Sequence, residues 1–296
     1  MIEPVFISKA NKTRYILSVG VGKSSFSAID CMYREGLDYV DYLLVDSTVT
    51  DTTELMQTID NEIDNCKLLI LVCSLEDVMV FNLINSIVDI TTQTLVQTFL
   101  LLVIPEKLFD AEENSKIISE LAQLSKNINL VIPIRADSQK TIVGKNPDSE
   151  RFCNSDYQTM WFVKTINSIA FVPGYVSTDY ADVYDSVKKK GFGFYAMGEY
   201  IGISLDQHRC MEALQNLVSA QKNASENIAK AKYLLVFIDS GPHDLHADEI
   251  MELIKYLYED LSSNAVYVWN CSFYELQERV RVTIIGTGFS EISSLI

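Results

Sequence analysis

Two carboxylates three positions apart, Asp179 and Asp182, are the residues of this chain whose types and spacing most suggest chemistry. They follow a Pro173-Gly174 break and a long apolar segment, which predicts an exposed loop after a buried element. An acid pair in such a loop is a candidate for catalysis. Acids are equally ordinary in loops and at helix N-termini, so spacing alone leaves both interpretations open.

A glycine-containing turn, residues 20–25, follows a predicted strand and precedes a predicted helix. Its sequence, Gly20-Val-Gly22-Lys23-Ser24-Ser25, is similar to the end of a Walker A phosphate loop. The full pattern needs a glycine five positions before Gly22, and Leu17 stands there. The turn is therefore either a phosphate loop of another kind or a plain strand–helix connection.

Two further groups have the residue types of metal sites. His243 and His246, followed by Asp248 and Glu249, could bind a metal, although capping of a helix by Asp244 or Asp248 explains the same pattern. The six cysteines are dispersed without a Cys-x-x-Cys pair, which predicts reduced core thiols. We expect no metal site, and with three histidines no hydrolase triad.

The bulk composition limits the class of partner. The chain has 296 residues, 48% of them hydrophobic, with 24 basic and 40 acidic residues and a net charge of −16. Such a charge disfavours nucleic acid and anionic membrane surfaces. Neither a signal peptide nor an apolar run long enough for a membrane span is present in the sequence, and we expect a cytoplasmic protein.

The positioning elements differ between the two halves of the chain. The first half has five apolar runs of strand length, at residues 15–20, 42–46, 67–73, 98–104 and 129–134, separated by helical patterns. This alternation predicts a doubly wound parallel sheet of the Rossmann type. Residues 156–171 are apolar nearly all round, which predicts a central buried helix. The second half ends in two consecutive strands, which predicts a mixed sheet.

Taken in order, these segments resemble the FtsZ/tubulin family. Segment 175–183 resembles an FtsZ loop that reads Asn-Val-Asp-Phe-Ala-Asp-Val, and segment 279–289 is similar to the family's last strand. Segments 20–22 and 34–36 are similar to its first loop and helix, and the similarity is collinear from about residue 15 to 289. The resemblance implies a nucleotide-binding-like domain at 1–155, a central helix at 156–172 and an activation-like domain at 173–296.

In that family GTP binds the N-terminal domain, and the acidic loop of the next subunit completes the GTPase site. The resemblance thus implies that Asp179 and Asp182, with Ser177, act in trans on a neighbouring subunit, in a head-to-tail filament. Residual nucleotide contacts would fall to Gly20, Gly22, Lys23 and Ser24. Asp156, with the aromatic Phe152 four positions earlier, would stand near the family's guanine-reading aspartate.

The chain departs from the family where phosphate should bind. No glycine occurs between Gly36 and Gly144, and the segment aligned with the glycine-rich phosphate loop, 73–82, adds Glu76 and Asp77. Glycines let backbone N–H groups approach a phosphate, and carboxylates repel it. The chain also ends at Ile296, so we expect no family tail that recruits membrane adaptors.

Three functions follow as expectations. The first is an FtsZ-like pseudo-GTPase, with little or no activity of its own, that docks its acidic loop on an FtsZ-type subunit or on itself and modulates filaments. The second is an active, self-polymerising GTPase that binds GTP and GDP through an altered loop. The third is a structural filament or oligomer protein that needs no nucleotide. Under the first and third, no cofactor is expected.

Overall fold

The computed structural model describes most of the chain and divides it into two compact units. The described residues are 5–7, 15–46, 53–63, 66–75, 80–105, 111–135, 153–171, 174–176, 178–202, 208–221, 223–241, 245–262, 264–273 and 279–292. The first unit comprises residues 1–137 and 147–167, and the second comprises 138–146 and 168–295.

The first unit contains a largely parallel sheet. Its strands are β1 (Val5–Ile7), β2 (Ile16–Val21), β3 (Val40–Val45), β4 (Leu68–Ser74), β5 (Gln97–Ile104) and β6 (Leu130–Arg135). They lie in the order β1-β3-β2-β4-β5-β6, and β1 alone of these strands pairs antiparallel. The five parallel strands are the five predicted apolar runs, and nearly all their residues are buried. Continuous apolar strands form here because helices cover parallel sheets on both faces.

Four helices connect the parallel strands: α1 (Phe26–Glu35), α2 (Thr53–Ile63), α3 (Val80–Thr91) and α4 (Ala111–Leu124). The chain moves from β2 to β3 on one side and then to β4 on the other side of β2. This reversal of strand order makes the carboxyl ends of β2 and β4 the switch point, where ligands bind in doubly wound sheets.

Helix α5 (Asn154–Phe171) is the predicted central helix, and it begins in the first unit and ends in the second. Most of its side chains are buried, and only a narrow stripe, at Asn154, Tyr157, Trp161 and Lys164, is partly exposed. At one position of that stripe Lys164 pairs with Glu35 at the end of α1. The prediction of a helix without a polar face is therefore close to what is observed.

The second unit contains a mixed sheet in the order β8-β11-β9-β10-β7. Its strands are β7 (Gly174–Val176), β8 (Phe192–Ile201), β9 (Tyr233–Ser240), β10 (Val266–Phe273) and β11 (Arg279–Phe289). Strands β9 and β10 are parallel, whereas the other pairs are antiparallel. This confirms the predicted mixed sheet.

The helices of the second unit are α6 (Tyr180–Val187), α7 (Arg209–Ala220), α8 (Ala224–Lys230) and α9 (Ala247–Tyr256), which continues as a π-helical turn over Leu257–Leu261. Helix α7 lies so close to β8 that a Cβ on Gly198 would stand 2.2 Å from the carbonyl oxygen of Ala213. The buried Arg209 at the start of α7 forms a bidentate pair with the equally buried Glu249 of α9. Two helices are thereby fixed to each other over the sheet.

Candidate functional site

The candidate site of the first unit is the turn after β2, at the switch point of the parallel sheet. Gly20 is in close contact, because an added Cβ would lie 2.7 Å from Ile29 and 3.2 Å from Leu44. Gly22 has φ 83° and ψ 151°, a conformation that side chains disfavour. The Ser25 hydroxyl donates to the Gly22 carbonyl at 2.7 Å. Packing and backbone conformation therefore account for both glycines without a phosphate.

Lys23 and Ser24 are the exposed residues of this turn. The Lys23 ammonium lies 3.5 Å from Oδ2 of Asp46, which follows β3; the side chains are 67% and 2% exposed, respectively. An ion pair with one solvated partner contributes little stability. Its consequence here is electrostatic, because a buried carboxylate reduces the positive potential that Lys23 would present to a phosphate.

Asp156 lies in the first turn of α5, is 5% exposed and has both carboxylate oxygens occupied. Oδ1 accepts a hydrogen bond of 2.9 Å from the Ser27 hydroxyl of α1, and Oδ2 accepts one of 3.1 Å from the backbone N–H of Cys153. The second bond satisfies a donor at the helix N-terminus, as acids in the first helical turn commonly do. Asp156 thus links α5 to α1. Phe152, which was predicted to pair with this acid, lies outside the described residues.

Asp179 and Asp182 form a reciprocal capping box at the start of α6 in the second unit. Asp179 is the N-cap: its Oδ1 accepts from the backbone N–H of Asp182, and Oδ2 of Asp182 accepts from the backbone N–H of Asp179, both at 3.1 Å. The second oxygen of each carboxylate makes no hydrogen bond within the described residues. The N-terminal explanation of these acids is therefore correct, and it leaves each with one oxygen for a ligand.

The loop that carries these acids is tied to the sheet. The Thr178 hydroxyl donates to the carbonyl of Trp269 in β10 at 3.0 Å, and β7 pairs with β10 just before the loop. Ser177 lies outside the described residues, as do Glu76 and Asp77 of the segment after β4. The structure thus places the Gly20–Asp156 group in the first unit and the acid pair in the second.

Replacing Asp179 with alanine should lower the free energy of unfolding by about 1 kcal/mol, because the N3 amide of α6, that of Asp182, loses its acceptor. Asp179→Asn should cost only a few tenths of that, since asparagine caps a helix nearly as well. Asp185→Ala, an exposed acid of the same helix, is the control and should change nothing measurable. Urea denaturation followed by circular dichroism gives all three values, and equal losses for Asp179→Ala and Asp185→Ala would contradict the capping role.

The histidine and acid cluster at residues 243–249, a predicted candidate for a metal site, forms a helix cap in the part that the structure describes. His246, rather than Asp248, is the N-cap of α9, and its backbone N–H donates to Oε1 of Glu249 at 2.8 Å. His243 and Asp244 lie outside the described residues. Nowhere in the described ranges do three or more His, Cys, Asp or Glu side chains gather as metal ligands. The exposed His208 bonds to Glu252 at 2.8 Å, and this bond raises its pKa.

None of the six cysteines forms a disulfide; five are buried, in agreement with the predicted reduced core thiols, and Cys153 is exposed. Burial, with a smaller contribution from the nearby Asp156 carboxylate, raises the pKa of Cys31 to about 12. Burial likewise raises the pKa of Cys271 to about 11. These thiols stay protonated at neutral pH and are inert core residues.

Sequence reasoning missed a buried polar row that crosses the second unit's sheet. Neighbouring strands bring Glu199, Arg281, Asp239 and Ser272 into register, and each is at most 5% exposed. Arg281 donates through Nε and Nη2 to Oε1 of Glu199, with Nε at 2.8 Å. Ser272 donates to Asp239 at 2.6 Å. The available signal was the polar–apolar alternation at residues 279–284.

Comparison with known proteins identifies the fold. No family model matches the chain. It is 27% identical over 169 residues to "Cell division protein FtsZ 1" of Pyrococcus woesei, covering 57% of this chain and 44% of that protein. It is 28% identical over 169 residues to FtsZ of Methanothermobacter thermautotrophicus, covering 57% and 43%. The match thus spans less than half the length of these curated relatives.

Solved structures match across almost the whole chain. An empty FtsZ dimer of M. jannaschii aligns with a TM-score of 0.74 at 18% identity, covering 97% of this chain and 90% of that one. CetZ2 of Haloferax volcanii, solved as a GTPγS-bound protofilament, aligns with a TM-score of 0.72 at 12% identity, covering 93% of each. Among the described helices, none is long and apolar enough to cross a membrane. This chain is thus similar in sequence to archaeal FtsZ proteins and shares its α/β fold with the solved FtsZ and CetZ structures.

Proposed function

We propose that this chain is an FtsZ-like cytoskeletal filament protein that lends its acidic loop to a neighbouring FtsZ-type subunit and has no working GTP site of its own. The observation that carries the proposal is a contrast between its two acidic sites. Asp156 is 5% exposed and both of its oxygens accept hydrogen bonds inside its own unit, whereas Asp179 and Asp182 each keep one carboxylate oxygen without a partner in the described residues.

The first support comes from the base-reading position. A carboxylate that recognises guanine must offer its oxygens to the base. The two oxygens of Asp156 already accept from Ser27 and Cys153, and the side chain is 5% exposed. Releasing it would break two hydrogen bonds to a charged group, from α1 and from the α5 N-terminus, at a cost of about 1.5–3 kcal/mol for each. The described residues therefore fit a guanine base poorly.

The second support is the charge at the phosphate position. Lys23, the exposed cation of the turn, already faces the buried Asp46. The sequence directly after β4 adds Glu76 and Asp77 where the family has glycines. Three carboxylates against one ammonium disfavour a triphosphate, and without glycine the backbone offers fewer accessible N–H donors.

The third support is the preorganisation of the acidic loop. The capping box fixes Asp179 and Asp182 relative to each other, and the bond from Thr178 to Trp269 fixes the loop to β10. Rigidly held carboxylates can orient a water molecule without an entropic cost at the moment of reaction. In the proposed arrangement, a neighbouring subunit supplies the site at which this loop acts.

The proposal can be tested on an archaeal FtsZ that assembles with nucleotide. Light scattering measures its assembly and phosphate release measures its GTP hydrolysis, each with and without this chain. We expect this chain to bind the filament with a micromolar Kd and to change its phosphate release, without hydrolysing GTP alone. The variant Asp179→Asn with Asp182→Asn keeps side-chain acceptors for the cap but removes both charges, and its binding should weaken about tenfold. Asp185→Asn is the matched control and should behave as the wild type. Unchanged binding of the double variant would refute the role of the acids.

A nucleotide-independent oligomer is the second candidate, and the capping box favours it. Local helix capping explains both acids without any role in catalysis. If this candidate is correct, the chain self-associates without nucleotide, and the double asparagine variant associates as tightly as the wild type. Sedimentation velocity of both proteins separates this candidate from the first.

A further inference from the structure

Strand β10, near one side of the second unit's sheet, is covered on its outer side along only part of its length. On its inner side all eight of its residues pair with β9. On its outer side β7 pairs with Cys271 and Ser272, and among the described residues no strand covers the stretch before Cys271. Val266, at the start of that stretch, is 53% exposed. An uncovered edge presents main-chain N–H and C=O groups with which another strand can pair.

The ladder with β9 shows which main-chain groups lie at this edge. Val266 donates its N–H to the carbonyl of Lys232 at 2.9 Å, on the inner side. Because successive residues of a strand direct these groups to opposite sides, Tyr267 and Trp269 direct theirs outward. There the Thr178 hydroxyl donates to the Trp269 carbonyl at 3.0 Å. The N–H and C=O of Tyr267 and the N–H of Trp269 have no partner in the part of the chain that the structure describes.

The uncovered stretch is held in place and carries no charge. The Tyr267 hydroxyl donates to the carbonyls of Leu257 and Ser262, at 2.6 and 2.9 Å, around the π-helical turn that follows α9. Its ring meets the half-exposed ring of Tyr258 edge-on, with centroids 5.7 Å apart. Residues 264–270 include neither a charged residue nor proline, the usual protections of an open edge. The edge is therefore preorganised for pairing.

We propose that the outer edge of β10 pairs antiparallel with the same edge of a second copy of this chain, about a twofold axis at Tyr267. The two Tyr267 residues then exchange both of their main-chain hydrogen bonds, and the Trp269 N–H of each copy donates to the Ala265 carbonyl of the other. Val266 of each copy stands opposite Val268 of the other, in apolar cross-strand pairs. The contact deepens the second candidate function, the nucleotide-independent oligomer, on which it rests. Being isologous, it closes as a dimer.

The charges beside the edge suit a second copy. Lys255 and Glu259, both exposed, lie 3.8 Å apart near the end of α9, and the exposed Asp260 follows. A twofold axis beside Tyr267 and Tyr258 reverses the direction of α9 in the other copy. Lys255 of each copy thus lies at the level of Glu259 and Asp260 of the other, so opposite charges meet across the axis. The neutral stretch 264–270 lets two chains of charge −16 approach without opposing carboxylates at the strand pair.

Sedimentation velocity of the full chain without nucleotide, over a concentration series at about 150 mM salt, tests the dimer. We expect a monomer–dimer equilibrium with a micromolar Kd. Val266→Lys should weaken it about tenfold, because a charge replaces the apolar contact with Val268. Ile201→Lys is the matched control: Ile201 is a 50% exposed residue of β8, on the far side of the same sheet, and its variant should stay within about threefold of the wild type. Far-UV circular dichroism checks that both variants fold.

Cysteine cross-linking tests the register. Val266→Cys and Val268→Cys are made separately, each with Cys153→Ser to remove the exposed thiol. Opposite residues of a non-hydrogen-bonded antiparallel pair have Cα atoms about 4.5 Å apart, within the range of a disulfide. With oxidised glutathione, an equal mixture of the two variants should form a disulfide dimer at least about fivefold faster than either variant alone, whose cysteines stand diagonally across the axis.

The outcomes separate this contact from the candidate function on which it rests. A monomeric wild type would overturn both. A wild type that self-associates, with Val266→Lys no weaker than Ile201→Lys, would overturn pairing through β10 and leave the nucleotide-independent oligomer standing. A mixture that cross-links no faster than the single cysteine variants would overturn the twofold register at Tyr267.

Discussion

Replacing Arg281 with leucine will lower the free energy of unfolding by about 3–5 kcal/mol, because it leaves the Glu199 carboxylate buried without its main partner. Both side chains are at most 3% exposed, and the guanidinium reaches the carboxylate through two of its nitrogens. Urea denaturation monitored by circular dichroism measures the loss. An unfolding midpoint equal to that of the wild type would contradict the importance of this pair.

Two controls separate the buried charge from the loss of packing. Arg279→Leu removes a neighbouring guanidinium that lies 3.5 Å from Glu199 but is 19% exposed, and it should cost less than about 1 kcal/mol. Arg281→Leu combined with Glu199→Leu removes both charges and should recover most of the stability, since apolar replacement of a whole buried pair is often neutral. If the double variant is as unstable as Arg281→Leu alone, the loss of stability comes from packing and not from the buried charge of Glu199.

Gly198→Ala will destabilise the second unit by about 3 kcal/mol or more, because the new methyl group has no space. Its Cβ would lie 2.2 Å from the Ala213 carbonyl oxygen and 2.4 Å from the Leu217 nitrogen, both backbone atoms of α7. Gly286→Ala is the comparison, because its Cβ would meet the ring of Phe194, a side chain that can rotate. Thermal denaturation should give Gly198→Ala a melting temperature well below that of Gly286→Ala. The reverse order would contradict the close approach of α7 to β8.

Much of the first unit could be predicted because its strands are continuous apolar runs. Leu68–Ser74 and Leu130–Arg135 differ by one residue at each end from the predicted strands. The second unit was harder. Strand β8 (Phe192–Ile201) was not predicted, since its glycines and Glu199 interrupt the apolar pattern. Glycine is needed there because α7 approaches Gly198, a tertiary cause that no local pattern contains.

The sequence of β11 alternates polar and apolar residues at 279–284, and the structure buries both faces of the strand. Arg281 and Thr283 occupy the polar positions and are at most 1% exposed. The compensating partners, Glu199 and Asp239, lie on β8 and β9, 82 positions away in the case of Glu199. The sequence of a strand shows which polar groups would need partners if they were buried. It does not show which other strands supply those partners.

The candidate site was predictable in its residues but not in its contacts. Asp156 was identified as an acid near the base-reading position, yet its partner Ser27 stands 129 positions earlier in the sequence. Asp179 and Asp182 have the spacing of a capping box, and their local hydrogen bonds agree with it. The role of a residue could thus be inferred where its partner is three positions away, and not where the partner belongs to another helix.

Calorimetric titration of the full chain with GTP and with GDP, in the presence of Mg²⁺, tests the central claim most directly, with an archaeal FtsZ as the positive control. Because Asp156 is engaged by Ser27 and Cys153 and the phosphate position is acidic, we predict no saturable binding below about 1 mM for either nucleotide. Binding of GTP with a micromolar Kd would contradict the claim that this chain has no working nucleotide site.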